Sequence, residues 1–140
     1  MKIDPYLFFG GRCDEAIAFY RDAIGAEVDM LMRHNECPTP PPAGMLEAGF
    51  ENKVMHAQIH VGQSIIMLSD GCSSSGTKFE GFSLSLTLPN EAAVDRAFAA
   101  LSAGGQVRMP LAKTFWSPRF GMLTDHFGVG WMLTVPTHPL

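Results

Sequence analysis

Three cysteines in 140 residues, Cys13, Cys37 and Cys72, form no Cys-x-x-Cys pair and are odd in number. That excludes a disulfide framework and a thiolate zinc site, and makes a reducing cytoplasm the expected location. Long apolar runs are also missing: Gly, Pro or polar residues break each one before it could cross a bilayer. Basic clusters are absent too, since the ten Lys and Arg are scattered singly in a chain of net charge -4. Such a surface has no stripe to follow a phosphate backbone, so neither nucleic acid nor a membrane is an expected partner. The N-terminal Met1-Lys-Ile-Asp-Pro-Tyr6 puts an acid and a proline where an export signal needs an unbroken apolar core.

What is present is ordinary for a globular chain: 46% hydrophobic and 17% charged residues, with a length that favours one domain over residues 1–140. The segment Thr114 to Leu133 writes strand, turn and strand, and Met55 to Leu68 writes the same. Setting Met67-Leu68 on Met132-Leu133 brings Met55 onto Phe120 and Gln63 onto Gly128, so the chain reads as a duplication. Each half opens with a strand and a helix. Tyr6 to Phe9 is a short strand ended by Gly10-Gly11, and Asp14 stands as the cap of a helix from Glu15 to Ile24 that Gly25 stops. Phe82 to Leu88 alternates leucine with Ser83, Ser85 and Thr87, and Asn90 caps a helix from Glu91 to Leu101 before Gly104-Gly105. Glu27 to Met32 and Gln106 to Met109 are return strands. Four prolines make Cys37 to Gly44 an extended loop. The expected fold is α+β: two tandem βαβββ modules, residues 1–70 and 77–140, joined by a Ser/Gly-rich hinge at 71–76, forming a cupped mixed sheet with helices on the convex face.

Met55-His-Ala57, Leu84-Ser-Leu86 and above all Thr114-Phe-Trp116 through Trp131-Met132 closely resemble the PhnB-like branch of the vicinal oxygen chelate superfamily, which includes glyoxalase I, bleomycin-resistance proteins and extradiol dioxygenases. The resemblance covers essentially the whole chain. Some members of that branch carry a demethylubiquinone methyltransferase name, but this sequence has no Gly-rich turn after a strand to hold a nucleotide-like cofactor. In metal-dependent relatives, His or Glu at one place on the first and one on the last strand of each module holds a divalent cation. Those places fall here on Pro5, Met67, Ser83 and Met132, which offer no hard ligand set, so the expectation is no metal and no cofactor. His56 and His60 cannot replace it as a pair, because four strand residues separate them by roughly 13 Å. The loop donors His34-Asn-Glu-Cys37 have no geometry that spacing can fix, and His138 reads as tail.

What the resemblance leaves is a pocket. If the leucines of Phe82 to Leu88 face the helices, then Ser83, Ser85 and Thr87 line the opposite side, joined by Met67, Ser69, Met132 and Thr134, with His56, Gln58 and His60. Trp116 is a candidate lid or subunit contact, and Arg119 a candidate anion contact or a structural partner of Asp125. Thioethers, hydroxyls and one or two imidazoles suit a small, weakly polar organic ligand. The leading expectation is therefore a small-molecule binding protein, cytoplasmic and homodimeric like its relatives. One alternative is a lyase or isomerase using a divalent metal, or using His56 as acid or base with Asp70 or Asp125 orienting it. Another is a dimeric structural protein with a vestigial pocket. Cys13, at a helix start without a basic partner, is read as inert.

Overall fold

The computed structural model describes residues 1–137, and the candidate at His138 lies outside them. Two compact units divide the chain, Met1–Thr77 and Lys78–Leu140. In the first, β1 (Tyr6–Phe8), α1 (Cys13–Ile24), β2 (Glu27–Arg33), β3 (Val54–Val61) and β4 (Ser64–Ser69) follow in order. Their sheet runs β1-β4-β3-β2, with β1 parallel to β4 and the other pairs antiparallel. In the second, β5 (Leu84–Thr87), α2 (Glu91–Ser102), β6 (Gln106–Ala112), β7 (Phe120–Thr124) and β8 (Gly130–Thr134) repeat the plan, in the order β5-β8-β7-β6. Each unit is one βαβββ module built on a four-stranded mixed sheet.

One helix covers one face of each sheet because apolar side chains recur on both elements with matching periods. In α1, Cys13, Ala16, Ile17 and Tyr20 are buried at helical spacing. Leu7, Ala57, Ile59, Ile66 and Leu68 supply the buried sheet side at a period of two. In α2, Val94, Ala97, Phe98 and Leu101 do the same, over Leu123, Trp131 and Leu133. Leu84 and Leu86 sit across from Trp131 and Leu133 and are more enclosed than the exposed Ser85 and Thr87, so the leucine side of β5 is the covered one.

The helix starts differ from each other. Asn90 Oδ1 accepts the Ala93 amide at 2.8 Å, as its sequence position predicts. Helix α1 begins two residues earlier than expected, with Arg12 as its first flanking residue and no side-chain cap of its own. Asp70, only 1% exposed, supplies the acceptor from 57 residues away: Oδ1 takes the amides of Gly11 and Cys13 at 2.8 Å each, and Oδ2 takes that of Val54 at 2.9 Å. Asp14 is therefore no cap; it faces outward and pairs with Arg33 through two hydrogen bonds of 2.9 and 3.0 Å. A long-range cap ties the first helix to the end of β4, which no local sequence signal announces. At the other end Gly25 takes φ 70°, the left-handed conformation in which its amide reaches back to Arg21 O.

The register corrects the internal alignment by one residue. Ala57 lies across from Leu68 and Gly121 across from Leu133, so His56, not Met55, corresponds to Phe120. The reason is a longer connection in the second hairpin: Val61 and Ser64 close the first around two residues, whereas Asp125 to Val129 lie between the paired Thr124 and Gly130. Asp125 organises that loop, accepting the amides of Phe127 and Val129 on Oδ1 and the Trp131 indole N–H on Oδ2 at 2.9 Å.

Candidate ligand-binding site

The helix-free face of the first sheet gathers the titratable candidates. Tyr6 lies across from Met67, Met67 across from Gln58, and Gln58 across from Met30, so phenol, thioether, amide and thioether form one row over four strands. His56 and Met32 form the neighbouring pair. The Tyr6 hydroxyl and His56 Nδ1 are 2.8 Å apart, and their rings stack with centroids 5.5 Å apart. Phe8 leans on Tyr6 at 5.1 Å and is 52% exposed, which leaves an aromatic surface open to a ligand. Burial pushes the Tyr6 phenol up, against a smaller opposing pull from the Ser69 hydroxyl, so Tyr6 acts as a protonated donor rather than a phenolate.

The far end of the same face is acidic and closed on itself. A bulge in β2 between Val28 and Met30 frees Asp29 to turn toward β3. Asp29 accepts from Gln58 at 3.2 Å and bonds His60 Nδ1 at 2.6 Å, while Glu27 lies 3.2 Å from His60 Nε2. Bonding to Asp29, reinforced by Glu27, pulls the His60 pKa up, and bonds from Gln58 and then His60 pull that of Asp29 down. Gln58 and His60 are thus committed to this edge network, leaving His56 as the imidazole with a free edge.

Several polar candidates have other partners. Asp70 and Asp125 hold backbone amides and one indole and do not orient His56; its partner is Tyr6, which sequence reasoning missed because a three-residue edge strand reads as structural. Arg119 pairs with Asp95 of α2 at 2.7 Å, not with Asp125, because the helix presents that carboxylate beside the start of β7. Ser69 is 3% exposed, accepting the Gly71 amide at 2.9 Å and lying 3.4 Å from Val54 O. Cys13 is fully buried, and burial with the neighbouring Asp70 raises its thiol far above the thiolate range, which makes it inert. The loop donors near His34 are bonded to the backbone: His34 Nε2 to Gly71 O, Glu36 to the Arg33 amide, Cys37 to Thr39 O.

On the second sheet, the corresponding row is Ser85, Met132, Met122 and Met109. Ser83 precedes β5 and sets its hydroxyl over Gly130, leaving a Cβ there only 2.9 Å away. Trp116 is 47% exposed and packs edge-on against Phe115 and Phe120. Ser117 fixes the base of that loop, its hydroxyl reaching Val135 O at 2.7 Å and Arg119 O at 2.9 Å. An open depression of about 310 Å³ beside it is lined by Phe115, Lys113 and Pro136, among others.

Residues 2–133 match the family model for the glyoxalase/bleomycin resistance protein/dioxygenase superfamily. The chain belongs to that superfamily. Protein YjdN of Escherichia coli K12 is 35% identical over 142 residues, covering 96% of this chain and 95% of that protein. Protein PA1353 of Pseudomonas aeruginosa superposes with a TM-score of 0.84 at 37% identity, over 97% of this chain and 98% of that one. A PhnB protein of Bacillus cereus, carrying a provisional 3-demethylubiquinone-9 3-methyltransferase name, follows at 0.78 and 29%, over 96% and 99%. The PhnB-like resemblance of the sequence thus extends to the fold.

Metal-dependent members of the superfamily hold a divalent cation, and the donors present at the corresponding places do not fit one. Among the described residues no three His, Cys, Asp or Glu gather as a ligand group. Met67 and Met132 offer thioethers, which favour soft cuprous ions over zinc, manganese or iron. Across from them stand the Tyr6 phenol and the Ser85 hydroxyl, neither an anionic or imidazole donor.

Proposed function

We propose that this superfamily member binds a small organic molecule on the helix-free sheet faces without the family metal. One observation carries the reading: across from Met67, one of the strand positions expected to hold a cation, stands Tyr6, hydrogen-bonded to His56, so a sulfur, a phenol and an imidazole gather there. Such a surface gains affinity from dispersion, stacking and one or two directed hydrogen bonds, and thioethers adapt to ligands of varied outline. In this reading the protein is a cytoplasmic homodimer, and sedimentation at micromolar concentration checks the dimer.

The test is thermal denaturation of the metal-stripped protein. A small aromatic ligand at 100 times its Kd raises stability by about 2.7 kcal/mol, and adding zinc, manganese, nickel or iron changes nothing. Stoichiometric metal that raises Tm by a comparable amount overturns the proposal. A second reading, acid/base chemistry at His56, is favoured by its Nε2, which has no hydrogen-bond partner among the described residues. Turnover lost in His56→Ala with binding retained distinguishes it.

A further inference from the structure

We infer that Tyr6 is a positioning residue that fixes the His56 tautomer, so that the ring offers a proton from Nε2 and the face selects neutral planar molecules bearing a carbonyl acceptor. The inference rests on the ligand-binding reading above. A hydroxyl carries one proton and can also accept, so its bond to Nδ1 has two possible directions. Of the two groups the phenol is the stronger acid and the imidazole the stronger base, and burial holds the phenol in its protonated form. Its own proton is then available to His56 Nδ1 at 2.8 Å, which leaves the ring proton on Nε2. Phenol and imidazole make a one-way relay from Tyr6 to the exposed face, and the last donor has no partner among the described residues.

The surroundings of that donor define its acceptor. Tyr6 and Phe8 present two rings 5.1 Å apart, with Met67 across from Tyr6 and Met32 across from His56, a lining that favours a flat apolar body. Charge is excluded on one side: β1, β3 and β4 contain no Lys or Arg, and Arg33 of β2 is paired with Asp14 of α1, whereas Glu27 and Asp29 stand at the His60 end of the same face. An anionic ligand meets repulsion and no counter-ion, and an unsubstituted hydrocarbon leaves the Nε2 proton without a partner. A neutral aromatic carbonyl satisfies both conditions.

Two measurements on the full-length protein test this. Nitrogen-15 spectra of the histidine rings near neutral pH are expected to show His56 protonated on Nε2, and Tyr6→Phe, which keeps the ring and removes the hydroxyl, to shift it to a mixture of tautomers. A proton on Nδ1 in the wild type, or an unchanged tautomer in Tyr6→Phe, overturns the inference whatever binds. Acetophenone, ethylbenzene and benzoate are then titrated in turn. Acetophenone is expected to bind best, and to weaken by roughly three- to tenfold in Tyr6→Phe, the worth of one neutral hydrogen bond. Ethylbenzene is expected to bind both proteins alike. Equal acetophenone affinity in the two proteins, or a preference for benzoate, overturns the ligand class. No binding of any probe, with the Nε2 tautomer in place, overturns the ligand class and the proposed function together while the positioning role of Tyr6 stands.

Discussion

The two sheets share strand order and a parallel edge pair, yet their helix-free faces carry different chemistry. The first sets Tyr6, His56, Gln58, His60 and Asp29 among its methionines; the corresponding row of the second is a serine and three methionines. Topology is duplicated, but the imidazoles and carboxylates of this face stand in one copy; at the bulge equivalent to Asp29 the second sheet carries Arg108, which donates to the Thr124 hydroxyl at 2.9 Å. The comparison teaches that repetition constrains the buried side, where Leu68 and Leu133 occupy equivalent places, and leaves the open side free to diverge.

The largest expected differences lie at the two buried carboxylates, each of which organises its own unit by different bonds. Asp70→Ala strands three backbone amides and should cost at least about 3 kcal/mol in urea unfolding; Asp125→Ala strands two amides and an indole and should cost a similar amount. Loss of helical circular dichroism should accompany the first and not the second, since only Asp70 caps a helix. A smaller effect separates Ala57 from its counterpart Gly121. A Cβ at Gly121 would lie 2.8 Å from both Phe98 Cε2 and Leu111 Cδ2, so Gly121→Ala should cost about 1–3 kcal/mol. Ala57→Gly removes a buried methyl and adds backbone entropy, and should cost about 1–2 kcal/mol. Arg119→Ala removes an ion pair that is partly exposed on both sides, and a change under about 1 kcal/mol in the same assay is expected.

The smallest predicted effect concerns pH. His60 has a pKa raised above its ordinary 6.5 by Asp29 and Glu27. The stability it contributes is therefore complete below pH 6.5 and is lost as pH rises through the higher folded value. Asp29→Asn should flatten the stability profile in that window, measured by Tm from pH 6 upward. The second sheet row, Ser85 to Met109, contains no titratable side chain to produce such a slope.

How much of this could be read from the chain depended on whether the cause was local. The alternation in Leu84 to Leu88, the Asn90 cap and the Gly25 stop are statements about neighbours in sequence, and each appears where the pattern puts it. Asp70 at the start of α1, Asp95 beside Arg119 and Tyr6 beside His56 join residues 24 to 59 positions apart, and no periodicity encodes such pairs. The displacement of Met55 by His56 opposite Phe120 has the same origin: one extra residue in a loop shifts every later correspondence, and a strand read alone carries no record of it. Candidate residues on the open face were legible because side chains alternate; which of them keep a free polar atom was not, since the Asp29 bulge decides it.

Binding of organic molecules on the open face of the first sheet, without a cation, is the proposal on which the rest depends. Chemical-shift mapping of the chelator-treated protein titrated with acetophenone tests it most directly. Saturable shifts centred on Tyr6, His56 and Met67 are expected, unchanged when zinc or manganese is restored. Shifts at those residues only after a divalent metal is added would contradict it.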